Sequence, residues 1–250
     1  MMKSLKDEIA ALEPWYQTIE VAENVFTPGK TPKENPLFEE IRKYVPRNLH
    51  GVRVLDLGCN AGKMSIEFAK RGAEVVGVEL SKHYYDQAQW IKKKLKLNNI
   101  TYLNQSVYKL YNMDQKFDVV LALGIFYHLR YPQLFVDICA NLCRGQFFIN
   151  SPVVLTDAEI MEARISREMA GDSSNIILQR EEAQFNWWFP SPSGLKRVLS
   201  NAGFYDFVEI WRKNTKFVSS HKKERNESAF PTGQIFLAAR CDGVKNLFRF

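Results

Sequence analysis

The chain predicts an α/β fold: a doubly wound, mostly parallel sheet with helices on both faces. Three observations carry this. Between residues 52 and 150, apolar strand-like runs alternate with helix-like segments, the rhythm of parallel strands joined by crossover helices. The runs are nearly continuous in apolar residues, as in FDVVLAL at 117–123, which suits strands buried on both faces. The first strand leads into a turn with glycines four apart, Gly58 and Gly62, where a missing Cβ lets the backbone bend sharply and approach a ligand.

Taken in order, Val52–Leu57 is the first strand, Lys63–Arg71 its helix, and Glu74–Glu79 a second strand that closes on an acid. Ser81 is an N-cap type and opens a helix to about Leu97, with Tyr85, Ala88 and Ile91 on one face. Ile100–Asn104 is the third strand and Phe117–Leu123 the fourth. Tyr131-Pro132 starts the next helix, since proline suits a first helical position, and Leu134, Ile138 and Leu142 recur at i, i+4, i+8. Gln146–Asn150 is the fifth strand. After Pro152 the rhythm breaks. Residues 153–189 form an insertion with a helix-like stretch, TDAEIMEARISREMA, a polar turn, and QREEAQFNWWF. Pro190–Ala202 restores a helix, Tyr205–Trp211 is strand six and Gln234–Arg240 strand seven, with a long charged link at 212–233.

Residues 1–50 precede the sheet and contain one short helix, Ser4–Leu12. They are too few to build a core and are expected to cap the crevice or to pack Trp15, Tyr16 and Phe26 on the sheet edge. The expected organisation is a cap at 1–50 and a main domain at 51–250. With 250 residues and 46% hydrophobic content, one sizeable core is expected. No run of 18 apolar residues occurs, and MMKSLKDEIAALEP lacks the apolar core of a signal peptide; the expectation is a cytoplasmic protein with no membrane part. Four cysteines are too sparse for a disulfide framework. Cys139 and Cys143 stand four apart on an expected helix, but no nearby histidine completes a site, so no metal is expected. The net charge of +6 tolerates a nucleic-acid partner without demanding one, because Lys92-Lys93-Lys94, Arg212-Lys213 and His221-Lys222-Lys223 are separated along the chain.

The stretch VRVLDLGCNAGKMSIEFAKRGAEVVGVEL at 52–80 carries the chemistry. A carboxylate at the tip of the second strand, Glu79, can accept hydrogen bonds from both hydroxyls of a ribose and would repel a phosphate placed there. The dinucleotide pattern G-x-G-x-x-G fails, because Asn60 and Lys63 stand at its second and third glycines. A Walker A loop fails as well: three residues separate Gly58 from Gly62, and Met64 stands where Ser or Thr would bind magnesium.

With Asp56-x-Gly58-x-x-x-Gly62 and a second strand ending on Glu79, the segment resembles the class I S-adenosylmethionine-dependent methyltransferases. The resemblance implies a Rossmann-like seven-stranded sheet with an antiparallel last strand, and S-adenosylmethionine as cofactor. It places Asp56, Gly58, Cys59, Asn60 and Gly62 against the methionine part and Glu79 with Leu80 at the ribose. Ser106 and Val107 fall by the adenine, where that family often has Asp, and Leu123 and Gly124 follow strand four.

In an open parallel sheet the ligand lies beyond the carboxyl ends of the strands, which singles out Gly124-Ile125-Phe126-Tyr127-His128-Leu129. His128 is either a general base, its ordinary pKa near 6.5 suiting proton removal, or a structural histidine. LGIFYHLRYP, TIEVAENVFTPG and NWWFPSPSGLKRVLSNAGF resemble the branch that includes the tRNA wobble-uridine carboxymethyl transferases. In those enzymes the residue matching Tyr127 helps bind a carboxylated cofactor. Their upstream lysine, in a tryptophan-rich segment, has no counterpart in LFEEIRKYVPRNLHG. Ordinary S-adenosylmethionine and a small-molecule oxygen or nitrogen acceptor are therefore expected, with a tRNA substrate as the alternative. Trp187, Trp188, Trp15 and Arg164 are the candidate acceptor contacts, although neighbouring indoles of a strand face opposite sides and Arg164 also fits a solvated face. Oligomeric state is left open.

Overall fold

The computed structural model describes residues 4–163, 188–214 and 231–242. Seven strands make up the central sheet. Contacts group the chain into two units, 1–107 and 108–250.

In the first unit, β3 (Arg53–Leu57), β4 (Glu74–Glu79) and β5 (Ile100–Asn104) run parallel, with Asp56 opposite Gly77 and Glu79 opposite Asn104. Val54, Leu55 and Leu57 are fully or almost fully buried, as expected of a strand covered on both faces. Helix α3 (Lys63–Ala69) buries Met64, Ile66, Phe68 and Ala69. Helix α4 (Lys82–Lys94) ends on three lysines, which complement the negative end of its dipole. Ser81 is its N-cap residue by backbone, but its side chain makes no capping bond.

The N-terminal segment of this unit is richer than the sequence suggested. Helix α1 (Leu5–Ala10) starts with a capping box of Ser4 and Asp7. A small hairpin, β1 (Glu20–Ala22) with β2 (Val25–Phe26), turns through Asn24 at φ 58°, and helix α2 (Pro36–Ile41) follows, capped by the Asn35 side chain. The start signal for α2, an Asn before a Pro, was present but unread.

In the second unit, β6 (Phe117–Leu123) and β7 (Cys143–Val154) are parallel, β11 (Thr232–Arg240) is antiparallel to β7, and β10 (Tyr205–Asn214) is antiparallel to β11. The last strand is thus antiparallel to its neighbours, as the resemblance implied. Helix α5 (Pro132–Leu142) packs Phe135, Val136, Ile138 and Leu142 in the core. Cys143 is the first residue of β7 rather than part of that helix, so it and Cys139 do not share a helical face; both are buried free thiols. Among the described residues no group of three or more His, Cys, Asp and Glu side chains could hold a metal ion.

One expectation is corrected here. The stretch read as a helix after Pro152 contains strand β8 (Met161–Ala163), paired antiparallel with β9 (Trp188–Pro190). The deciding interactions are distant in sequence: Ser191 Oγ donates to the Ala158 carbonyl (2.6 Å) and accepts from Ile160 N–H (3.2 Å). A strand partner 27 or so residues away overrides local helix propensity. Ser191 also caps α6 (Pro192–Asn201) through Gly194 N–H.

Candidate active site

The turn after β3 is built on left-handed backbone. Gly58, Asn60 and Gly62 have φ of 68°, 54° and 88°, a region in which glycine is unstrained and asparagine is tolerated. Asn60 stabilises itself there, its Oδ1 accepting Ala61 N–H at 2.8 Å. The turn is tied to β4 by Gly58 N–H and Cys59 N–H, both donating to the Val78 carbonyl (2.8 and 3.1 Å).

Glu79 lies where the sequence reading needed it. Its Oε2 accepts Asn60 N–H at 2.8 Å and its Oε1 accepts Ser81 N–H at 2.9 Å. The carboxylate is therefore fixed beside the glycine turn, with one lone pair on each oxygen left for a ligand. Burial raises its pKa, and the backbone N–H groups of Ser81, Asn60 and Leu80 oppose the rise. Asn104 completes the corner: its Nδ2 donates to the carbonyls of Glu79 (2.9 Å) and Leu80 (2.8 Å). This residue was missed, although the pairing of two parallel strand ends would have pointed to it. Ser106 is half-buried and Val107 buried just beyond the end of β5.

Asp56 differs from the expectation of a ligand contact. It is 3% exposed, and its Oδ2 accepts the Ser65 hydroxyl of α3 at 2.6 Å. It holds the turn to the helix from beneath. Burial pushes its carboxyl up to about 6 from 3.8, the bonds from Ser65 oppose this and the Glu79 charge adds to it. The acid thus binds its proton more tightly folded than unfolded, so its own contribution to stability is greatest below pH 3.8 and is lost by about pH 6, a change of about 3 kcal/mol at 1.36 kcal/mol per pKa unit. Urea unfolding at pH 4 and pH 7.5 is expected to show Asp56→Asn gaining on the wild type as pH rises. An equal difference at both pH values would refute this.

The turn is underlaid by Tyr102, whose hydroxyl is buried without a hydrogen-bond partner among the described residues. A Cβ at Gly62 would lie 2.1 Å from that oxygen, and one at Gly77 would meet the ring at 2.5 Å. Both glycines therefore provide space, and Gly62 provides the left-handed conformation as well. The Cys59 thiol beside them is buried and raised well above its ordinary pKa, which makes it an inert wall.

Trp15 packs as a core residue: it is 4% exposed, donates its indole N–H to the Ile9 carbonyl (2.9 Å) and sits 6.0 Å from the Trp90 ring. Gln17, which the sequence reading passed over, reaches the turn. Its Oε1 accepts Lys63 N–H at 3.0 Å.

In the second unit, Gly124 follows Leu123 with φ 79°, and its N–H donates to the Asn150 carbonyl (3.0 Å). Phe126–His128 form a single 3-10 turn that brings the Tyr127 and His128 rings to 4.0 Å, with Phe189 of β9 6.4 Å from Tyr127. A Cβ on Gly124 would touch the Tyr127 hydroxyl at 3.8 Å. Trp188 is half-buried and donates its indole N–H to the Arg130 carbonyl (3.3 Å). Trp187 and Arg164 lie outside the described residues.

The turn and the acid fit an adenosyl group: a ribose needs acceptors fixed in space, and Glu79 offers two, while the absent side chains at Gly58 and Gly62 leave backbone exposed to close approach. Residues 54–145 match the family described as a methyltransferase domain. The ubiquinone biosynthesis O-methyltransferase of Coxiella burnetii is 31% identical over 137 residues, 53% of this chain and 58% of that protein. The tRNA U34 carboxymethyltransferase of Dichelobacter nodosus is 30% identical over 211 residues, 77% of this chain and 62% of that protein. The chain thus spans about three-fifths of the length of these curated relatives. Among solved structures, the N-terminal domain of EvdMO1, crystallised with SAH and D-fucose, superposes with a TM-score of 0.68 at 17% identity and covers 95% of both chains. The [4+2]-cyclase SpnF superposes at 0.59 with 16% identity over 84% of this chain and 82% of its own. Likenesses at this identity concern the fold alone.

Proposed function

We propose that this chain, whose residues 54–145 match a methyltransferase domain, transfers the methyl group of S-adenosylmethionine to an oxygen or nitrogen of a small-molecule acceptor. The observation that carries the reading is the Glu79 carboxylate held 2.8 Å from Asn60 N–H at the glycine turn. S-adenosylmethionine supplies an electrophilic methyl on a positive sulfur, open to in-line displacement by a nucleophile.

The chain's own residues then bind the cofactor, take up the proton and receive the acceptor. Glu79 accepts the ribose hydroxyls, Leu80, Ser106 and Val107 border the adenine, and the turn at Gly58–Gly62 receives the methionine part. Leu123 and Gly124 border the methyl end. His128 takes a proton from a hydroxyl acceptor, with Tyr127 beside it to hold the ring, and Trp188 stacks on a flat acceptor. Alignment of acceptor and methyl is most of what catalysis requires here. A cytoplasmic location belongs to the same proposal; among the described residues no helix is long and apolar enough to cross a membrane.

Transfer of labelled methyl from S-adenosylmethionine to a panel of phenolic, amine and sugar acceptors tests the reading. For a hydroxyl acceptor, His128→Ala is expected to lower kcat by about 100-fold or more with cofactor affinity unchanged. An unchanged kcat would remove His128 from the proton transfer.

A second reading, modification of a tRNA base, is favoured by the 211-residue alignment with the tRNA U34 carboxymethyltransferase. It requires tRNA affinity that falls steeply between 50 and 200 mM salt, because phosphate contacts release counterions. No binding at 50 mM salt would exclude it.

A further inference from the structure

We infer that Gln17 is a further cofactor-binding residue, its side-chain amide donating to the carboxylate of the methionine part of S-adenosylmethionine; the inference rests on the cofactor reading above. The backbone around Gln17 is immobilised. Thr27 Oγ1 donates to the Gln17 carbonyl (2.7 Å) and accepts Ile19 N–H (2.8 Å), Thr18 N–H donates to Thr31 Oγ1 (2.9 Å), and Lys30 N–H donates to the Tyr16 carbonyl (2.8 Å). Gly29 lies so close that a Cβ there would fall 2.2 Å from the Gln17 carbonyl carbon. The segment is held to α4 as well, where Gln87 Nε2 donates to the carbonyls of Leu12 (2.7 Å) and Pro14 (3.0 Å).

From this platform the half-buried Gln17 side chain reaches the residue after Gly62 and accepts Lys63 N–H through Oε1 at 3.0 Å. That bond orients the amide. The two Nε2 hydrogens have no partner among the described residues, at the end of a turn whose other side is fixed to Glu79. A donor pair in this place suits an anion. Glu79 takes the neutral sugar, and the cofactor's one anionic group is its α-carboxylate. The Lys63 ammonium is directed elsewhere, Nζ donating to the Pro32 carbonyl and, at 3.0 Å, to that of Glu34.

Calorimetry with two ligands tests this. S-adenosylhomocysteine carries the carboxylate, whereas 5′-methylthioadenosine keeps the adenosyl sulfur and lacks the amino-acid end. Gln17→Glu preserves the acceptor for Lys63 N–H and replaces both donors with negative charge. At pH 8 it is expected to lose about 10- to 100-fold in affinity for S-adenosylhomocysteine, while 5′-methylthioadenosine binds within about twofold of wild type. Unchanged S-adenosylhomocysteine affinity, or an equal loss for both ligands, overturns the inference, the second outcome marking Gln17 as a brace of the turn only. Wild-type protein that binds neither ligand overturns the cofactor reading itself, and this inference with it. Should the glutamate variant fail to fold, Gln17→Met, neutral and of similar length, is expected to show the same ordering of losses, and equal losses there overturn the inference too.

Discussion

Glu79→Ala is expected to weaken S-adenosylhomocysteine binding by at least 100-fold while the protein remains folded. Two hydrogen bonds from ribose hydroxyls to a carboxylate are lost, each worth about 1.5 kcal/mol or more, and a total of about 3 kcal/mol corresponds to a factor above 100. The same carboxylate receives Asn60 N–H and Ser81 N–H, so its removal also frees the turn. Thermal unfolding separates the two effects: a modest drop in midpoint, of a few degrees, accompanies the loosened turn, whereas affinity falls for every adenosine-containing ligand. Calorimetry that finds wild-type affinity in a folded Glu79→Ala protein would take the ribose site elsewhere and remove the main support for the function proposed above.

Gly62→Ala should be among the most damaging single-methyl additions in the chain. The residue sits at φ 88°, which costs an L-residue about 1–2 kcal/mol. Its new Cβ would also fall 2.1 Å from Tyr102 Oη and 2.9 Å from Cζ, in a ring itself packed against Gly77; overpacking of this kind costs about 1–3 kcal/mol more. A total near 2–5 kcal/mol is expected from urea unfolding. Gly51 provides the control, since it shares the left-handed backbone at φ 80° but a Cβ there meets nothing within 4 Å. Gly51→Ala should therefore cost only the conformational part. The excess at Gly62 should shrink when Tyr102→Phe is added, because the closest of the atoms in conflict is gone, a coupling that a double-mutant cycle reads directly. Equal costs at the two glycines would show that the ring yields and that space under the turn is not what selects glycine.

Much of the fold was legible because its signals are local. The apolar runs at 52–57, 74–79, 100–104 and 117–123 became β3, β4, β5 and β6 almost residue for residue, since the core-facing positions of parallel strands must be apolar. The site was legible in part. That Glu79 stands by the turn follows from parallel strands ending on one edge, and the structure brings them within hydrogen-bond distance. Asp56 looked like a ligand group by its place in the motif, yet its carboxylate is turned inward to Ser65. No one-dimensional pattern separates an acid that faces a ligand from one that braces a helix.

The chain's order of residues, taken alone, determined the alternation of strands and helices, the turn glycines and the acid at the tip of the second parallel strand, because periodicity and backbone conformation depend on near neighbours. Tertiary structure alone decided the rest. Met161–Ala163 became a strand through pairing with Trp188–Pro190, Trp15 became core against Trp90, and Gln17 arrived at Lys63 from 46 positions away. Such contacts form where folded surfaces meet, and their energy depends on partners that no local window contains.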